Sequence, residues 1–153
     1  MKISVRTHNE WDPLREVVVG CATGAQVPRV ADESLHAVDY GALGDEEYAR
    51  IHTGLYPKRV IEESNEDLDA FADALRKLGI NVHRPAPADF SEITRTEDWA
   101  VDGYYAYCPR DTILTIGEQA IETPMAMRHR QSEARLYRHL LKTEEHTSEL
   151  QSH

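Results

Sequence analysis

An α/β fold is predicted, and three features of the sequence predict it. Glu16-Val17-Val18-Val19-Gly20 is a β-branched run closed by glycine, which reads as a buried strand. Ile61, Leu68, Phe71, Leu75 and Leu78 recur at steps of seven, three, four and three, which sets them along one face of a helix. Thr112–Ile116 and Ala120–Thr123 flank Gly117-Glu118, and this pattern reads as a hairpin.

In chain order, the polar stretch Arg6–Asp12 and Pro13-Leu14 lead into the first strand. Residues 22–53 mix Gly, Pro, charged and apolar side chains without a sustained period, and are expected to form a long surface excursion. The helix is expected over Pro57–Leu78. Pro57 suits a first turn, Glu62 and Glu63 lie toward the positive end of the helix dipole, Arg76 and Lys77 lie toward the negative end, and Gly79 fits a left-handed cap. Full burial of the five apolar side chains would contribute at most about 10 kcal/mol. Ile80–His83 reads as a second strand, ended by Pro85 and Pro87. After the hairpin, Ala134, Tyr137, Leu140 and Leu141 predict a helix over Gln131–Lys142. The order strand, helix, strand, hairpin, helix is an α/β alternation.

The 153 residues suffice for one globular domain. Lys and Arg number 17 against 27 Asp and Glu, a formal charge of −10, which argues against a nucleic-acid partner. The N-terminus lacks a signal-peptide pattern, and no apolar run approaches the roughly 20 residues of a membrane span, so a cytoplasmic protein with no membrane partner is expected. Cys21 and Cys108 lie far apart without CxxC spacing, and the histidines show no HxxxH or HxH pattern, so no metal site is expected. The last ten residues, EEHTSELQSH, resemble the translation of a sequencing adapter. Residues 144–153 are accordingly expected to be a non-native tail, and residues 1–143 the natural portion.

Few residues offer chemistry. Asp111, in Cys108-Pro109-Arg110-Asp111, is expected at the start of a strand, where a fixed carboxylate suits a planar cation such as guanidinium. An exposed turn pair with Arg110 is the plainer alternative. Glu122 at the hairpin's far end faces either a cleft or solvent. Arg128-His129-Arg130, continued by Arg135, Arg138 and His139, could bind an anion such as a substrate phosphate, or form a solvated helix face or an interdomain ion-pair surface. Both thiols are expected to be buried and inert.

Four segments carry a family resemblance: HNEWDPLREVVVG (His8–Gly20), LYPKRVIEES (Leu55–Ser64), KLGINVHRP (Lys77–Pro85) and CPRDTILTIGEQAIETPMAMRHR (Cys108–Arg130). Together, over Val5 to Leu141, the chain resembles the N-terminal region of the arginine-dependent amidinotransferases, with YCPRD, IETPMAM and YPKRV closer to the inosamine-phosphate branch than to the glycine branch. The resemblance implies the five-module ββαβ propeller of the guanidine-modifying (pentein) enzymes, present here only in part. It implies transfer of an amidino group from L-arginine to an amine acceptor, an inosamine phosphate or glycine, through an amidino-cysteine and without a cofactor. Asp111 matches the donor-binding aspartate of the family's PRD motif, and Arg110 and Glu122 match supporting positions. None of the family's catalytic cysteine, histidine and aspartate falls on these residues, so no catalytic residue is assigned and the chain alone is expected to be inactive. His129 stands where relatives carry serine, and Met127 where they carry Trp or Leu. A deiminase-like guanidine hydrolase of the same fold is the alternative activity, and a non-catalytic binding module the alternative outside enzymes. The full-length parent protein is expected to be a homo-oligomer.

Overall fold

Val17 and Val18 need a neighbouring strand, and they find it 65 residues away in sequence. In the computed structural model, which describes residues 5–141, β1 (Glu16–Val18) pairs in parallel with a strand at Asn81–His83, in the register Glu16↔Asn81, Val17↔Val82 and Val18↔His83. A parallel pair requires a crossover connection, and a long helix supplies it here. The pairing is reinforced across the strands, where His83 Nε2 and Glu16 Oε2 lie 2.9 Å apart.

Between these strands run β2 (Gln26–Val27), α1 (Glu33–Asp39), α2 (Asp45–Tyr48), β3 (Gly54–Leu55) and α3 (Lys58–Lys77), followed by β4, the Asn81–His83 strand. The expectation of a surface excursion over residues 22–53 is therefore corrected. Ala25 and Leu35 from this stretch are buried against Tyr104, Tyr105 and Met127 in one of two core clusters. Elements of two to seven residues cannot display a hydrophobic period. They are held instead by pairing, since β2 and β3 are antiparallel, and by a cap, since Asp32 accepts from the Ser34 N–H at the start of α1.

α3 forms where the periodicity predicts it, with Pro57 at its N-cap. Its C-terminus is a Schellman motif: Gly79, at φ +81°, donates to the Arg76 carbonyl, and Ile80 donates to that of Leu75. Two details differ from expectation. Glu62 and Glu63 sit in the second turn and pair with Lys58 and Arg59. The apolar face is also only partly covered: Ala72 is buried, but Phe71 is 56% and Leu78 77% exposed, so burial falls well short of the 10 kcal/mol bound.

Past β4 come the short antiparallel pair β5 (Thr94–Arg95) and β6 (Ala100–Val101), then α4 (Pro109–Thr112), β7 (Ile113–Ile116) and β8 (Gln119–Glu122). β7 and β8 form the expected hairpin, closed by Gly117 at φ +59°. Its Ile113 and Ala120 pack on the second cluster, built on Phe90, Ala106, Leu136, Tyr137 and Leu141. In place of the helix expected over Gln131–Lys142 stands a 3-10 turn, Glu133–Leu136, preceded by another at Arg128–Arg130, with Leu140 donating back to Tyr137. Glu133, Ala134, Leu136, Tyr137, Leu140 and Leu141 are all buried, so this segment is enclosed on several sides and the packing, not one amphipathic face, sets its winding. Lys142 and the tail expected over residues 144–153 lie outside the described residues.

Candidate functional site

Asp111 does not open the strand; it lies in the helical turn α4 just before β7. Pro109 occupies the first position of that turn, where its missing N–H costs nothing. The turn is locked at three points. Asp111 N–H donates to Cys108 O at 3.2 Å, Thr112 Oγ1 to Pro109 O at 3.1 Å, and Thr123 Oγ1 to Asp111 O at 2.8 Å. The hairpin thereby fixes the backbone from which the carboxylate projects.

Both oxygens of that carboxylate already meet a guanidinium. Arg130 Nη1 donates to Oδ2 at 3.1 Å, and Arg110 Nη2 to Oδ1 at 3.1 Å. The two arginines differ in surroundings: Arg130 is 5% exposed and Arg110 94%. Hydrogen bonds from Arg130 and then Arg110 hold the Asp111 carboxyl below its ordinary range, against the effect of burial. Asp111 is thus more than an exposed turn pair, because one of its partners belongs to the interior.

Arg130 is itself gripped. Its Nε and Nη2 donate to Glu133 Oε1 and Oε2 at 2.9 and 3.0 Å, a two-pronged contact with a carboxylate that is 1% exposed. Its guanidinium carbon stands 4.6 Å from the centre of the Tyr105 ring, and Tyr107 stacks on that ring at 4.0 Å. Burial opposes the charge of Arg130, but Glu133 outweighs it and raises the guanidinium's pKa. Burial pushes the Glu133 carboxyl up, to about 7, with Arg130 pulling it back.

Asp111 also lies on the rim of a groove of about 240 Å³. Val18 and Val19 at the end of β1 and Leu68 and Phe71 of α3 form its apolar side, and Cys108 to Asp111 the other. Gly20 permits the close approach between these walls, since a Cβ there would fall 2.3 Å from Tyr107 Cα. The arrangement can hold a planar cation at the rim while its aliphatic chain lies on apolar surface. Cys108 is in the same wall, but burial, then the Asp111 charge, pushes its thiol up and disfavours the thiolate. Cys21 donates to Asn65 Oδ1 of α3 at 3.6 Å.

The other candidates are occupied elsewhere. Glu122 accepts from Arg138 Nε and Nη2 at 2.5 and 2.7 Å and does not face the groove. The first part of the basic run, Arg128-His129-Arg130, is occupied by acids and backbone of this chain, whereas Arg135, Arg138 and His139 are exposed. Arg128 reaches Asp32 and Glu33 at the start of α1 at 2.9 and 3.1 Å, and His129 is buried with Nδ1 2.8 Å from Asp102 O. Among the described residues no group of three or more His, Cys, Asp and Glu is placed to hold a metal ion, and no helix is long and apolar enough to cross a membrane. Sequence reasoning missed Arg130 and Glu133 as parts of the Asp111 site. The available signal was an Arg and a Glu three apart, set between Met127 and Ala134.

No family model matches the chain. It is 51% identical over 138 residues to inosamine-phosphate amidinotransferase 1 of Streptomyces griseus, covering 90% of this chain and 39% of that protein. It is 38% identical over 138 residues to the mitochondrial glycine amidinotransferase of Danio rerio, covering 90% of this chain and 32% of that protein. The solved inosamine-phosphate amidinotransferase from Streptomyces griseus superposes on 90% of this chain with a TM-score of 0.83 at 48% identity, and this covers 39% of that structure. A solved amidinotransferase from Microseira wollei, of the saxitoxin biosynthetic pathway, does so on 89% with a TM-score of 0.73 at 37% identity, covering 37% of that structure. The chain spans about two fifths of the length of the first of these relatives. Over the residues it shares with them, the chain is similar in sequence and in α/β fold to these amidinotransferases.

Proposed function

We propose that this chain provides the arginine-binding part of an amidinotransferase that moves the amidino group of L-arginine to an amine acceptor. The observation that carries the reading is the Asp111 carboxylate, one oxygen of which already seats an exposed guanidinium, that of Arg110. An incoming L-arginine replaces Arg110 there, and its aliphatic stem lies toward Leu68 and Phe71. In the complete enzyme a cysteine thiolate attacks the guanidinium carbon, ornithine leaves, and the amidino-cysteine is taken up by the amine. On this reading the thiol, the proton-handling histidine and the catalytic aspartate, with most of the five-module propeller, are supplied by the part of such an enzyme that this chain does not span. An inosamine phosphate is favoured over glycine as acceptor by the higher identity to the inosamine-phosphate enzyme.

Neither thiol of this chain is suited to the reaction. Cys108 has its thiolate disfavoured by burial and by Asp111, and Cys21 is tied to Asn65. Incubation with L-arginine and either glycine or an inosamine phosphate is therefore expected to release no ornithine. Calorimetric titration with L-arginine is expected to show binding that Asp111→Asn weakens about tenfold or more, the scale of a hydrogen bond to a charged group. Ornithine release by this chain, or equal affinity in the Asn variant, overturns the reading.

A further inference from the structure

A carboxylate that is to receive a guanidinium ligand must not be consumed by the protein's own arginines. Arg130 is buried beside Asp111 and has five N–H donors, enough to take both carboxylate oxygens in a two-pronged contact. It does not do so. Its Nε edge is turned to Glu133, and of the N–H donors left on Nη1 and Nη2 only Nη1 meets Asp111. The Tyr105 ring lies against the guanidinium and limits rotation about that arrangement. The second oxygen of Asp111 is left to Arg110, whose side chain is almost wholly in solvent and is readily displaced.

We propose that Glu133 is a positioning residue: by holding Arg130 along its Nε edge, it restricts that guanidinium to one contact with Asp111 and keeps the other carboxylate oxygen open to a guanidinium ligand. The role rests on the reading of Asp111 as the donor contact, and Glu133 touches no ligand itself. Its place follows from the fold. Glu133 opens the 3-10 turn that follows Arg130, three residues on, and its carboxylate is enclosed with Ala134, Leu136 and Tyr137. A purely structural ion pair would serve equally well with Arg130 turned either way. The observed orientation is the one that spares Asp111.

The test uses the full 153-residue chain with two readouts, the Asp111 carboxyl titration by carbon-detected NMR and the affinity for L-arginine. In Glu133→Gln the fork loses its charge, Arg130 turns fully onto Asp111, and the Asp111 titration moves to lower pH while L-arginine binds about tenfold more weakly. Glu133→Asp keeps the charge. It is expected to leave the titration at or above that of the parent chain and the affinity within about threefold. A structural role predicts the opposite sign, since loosening the corner frees Asp111 and returns its titration toward an ordinary carboxylate. An upward or absent shift in the Gln variant overturns the proposal. If that variant does not fold, a downward shift in the Asp variant overturns it. The site reading fails separately: should Asp111→Asn leave L-arginine affinity unchanged, Asp111 is not the donor contact, while the sign of the titration shift still decides what Glu133 does.

Discussion

The corner around Asp111 and the outer face of α3 are built from the same chain to different standards of completion. At the corner, Glu133, Arg130 and Asp111 form a continuous series of opposite charges, two of them almost fully buried, and Thr123 and Pro109 fix the backbone beneath them. On α3, Phe71 and Leu78 stand in solvent, and on the hairpin Leu114, Ile116 and Ile121 are likewise exposed. Leu114 and Ile121 are cross-strand partners, so the hairpin presents an apolar face of its own. At the corner charge is satisfied within the chain, whereas the apolar surface of α3 and the hairpin is left uncovered. Buried ions tolerate no missing partner, whereas an uncovered leucine costs only the burial it forgoes.

The sharpest way to break that contrast is to remove the partner at the corner. Arg130→Met leaves Glu133 buried and unpaired, and is expected to cost about 3–5 kcal/mol in urea unfolding at pH 8. The loss is expected to shrink at pH 5. Burial raises the Glu133 carboxyl in the folded state above its unfolded value, and without Arg130 it takes up a proton. A raised folded pKa makes the contribution to stability greatest at low pH and lost as pH climbs through it. A loss that is equal at both values would show that Glu133 is not the group left unpaired.

An intermediate effect is expected on α3, where one turn of helix contains both extremes. Ala72 is fully buried, so Ala72→Leu must displace its neighbours and is expected to cost about 1–3 kcal/mol. Phe71→Ser is expected to change stability by about 0.5 kcal/mol or less and to reduce self-association on size-exclusion chromatography. A large loss from Phe71→Ser would mean that the exposed face is covered in solution.

The two regions also differed in how far the sequence revealed them. The period of α3 and its Gly79 cap were legible because both are local, repeated over several turns or set by one backbone angle. How much of that face is buried was not legible, since periodicity identifies a face and not its cover. At the corner, Asp111 could be singled out from Cys-Pro-Arg-Asp, but its partner Arg130 is 19 residues away and looked like part of a solvated basic run. Arg128, Arg130 and Arg138 each found an acid that only the folded chain brings near: Asp32, Asp111 and Glu122. Residues 22–53 are not legible for a related reason, as short elements held by caps and distant contacts leave no period.

The smallest effect belongs to the charge pair that lies between the two extremes. Glu122 and Arg138 meet in a two-pronged contact, yet both are substantially solvent-exposed, so water and salt screen them. Hydrogen bonds from Arg138 hold the Glu122 carboxyl below its ordinary value of 4.5. A folded pKa lowered in this way makes the stabilisation present above the unfolded value and lost as pH falls through the folded one. Arg138→Met is therefore expected to cost about 0.2–1 kcal/mol at pH 7 and nothing at pH 2, with the pH 7 difference diminished in 1 M salt. Comparing its denaturation midpoint with that of the parent chain at both pH values checks the sign. If the loss at pH 7 matched that of Arg130→Met, exposure would not be what separates the two pairs, and the difference between corner and surface would have to lie in geometry alone.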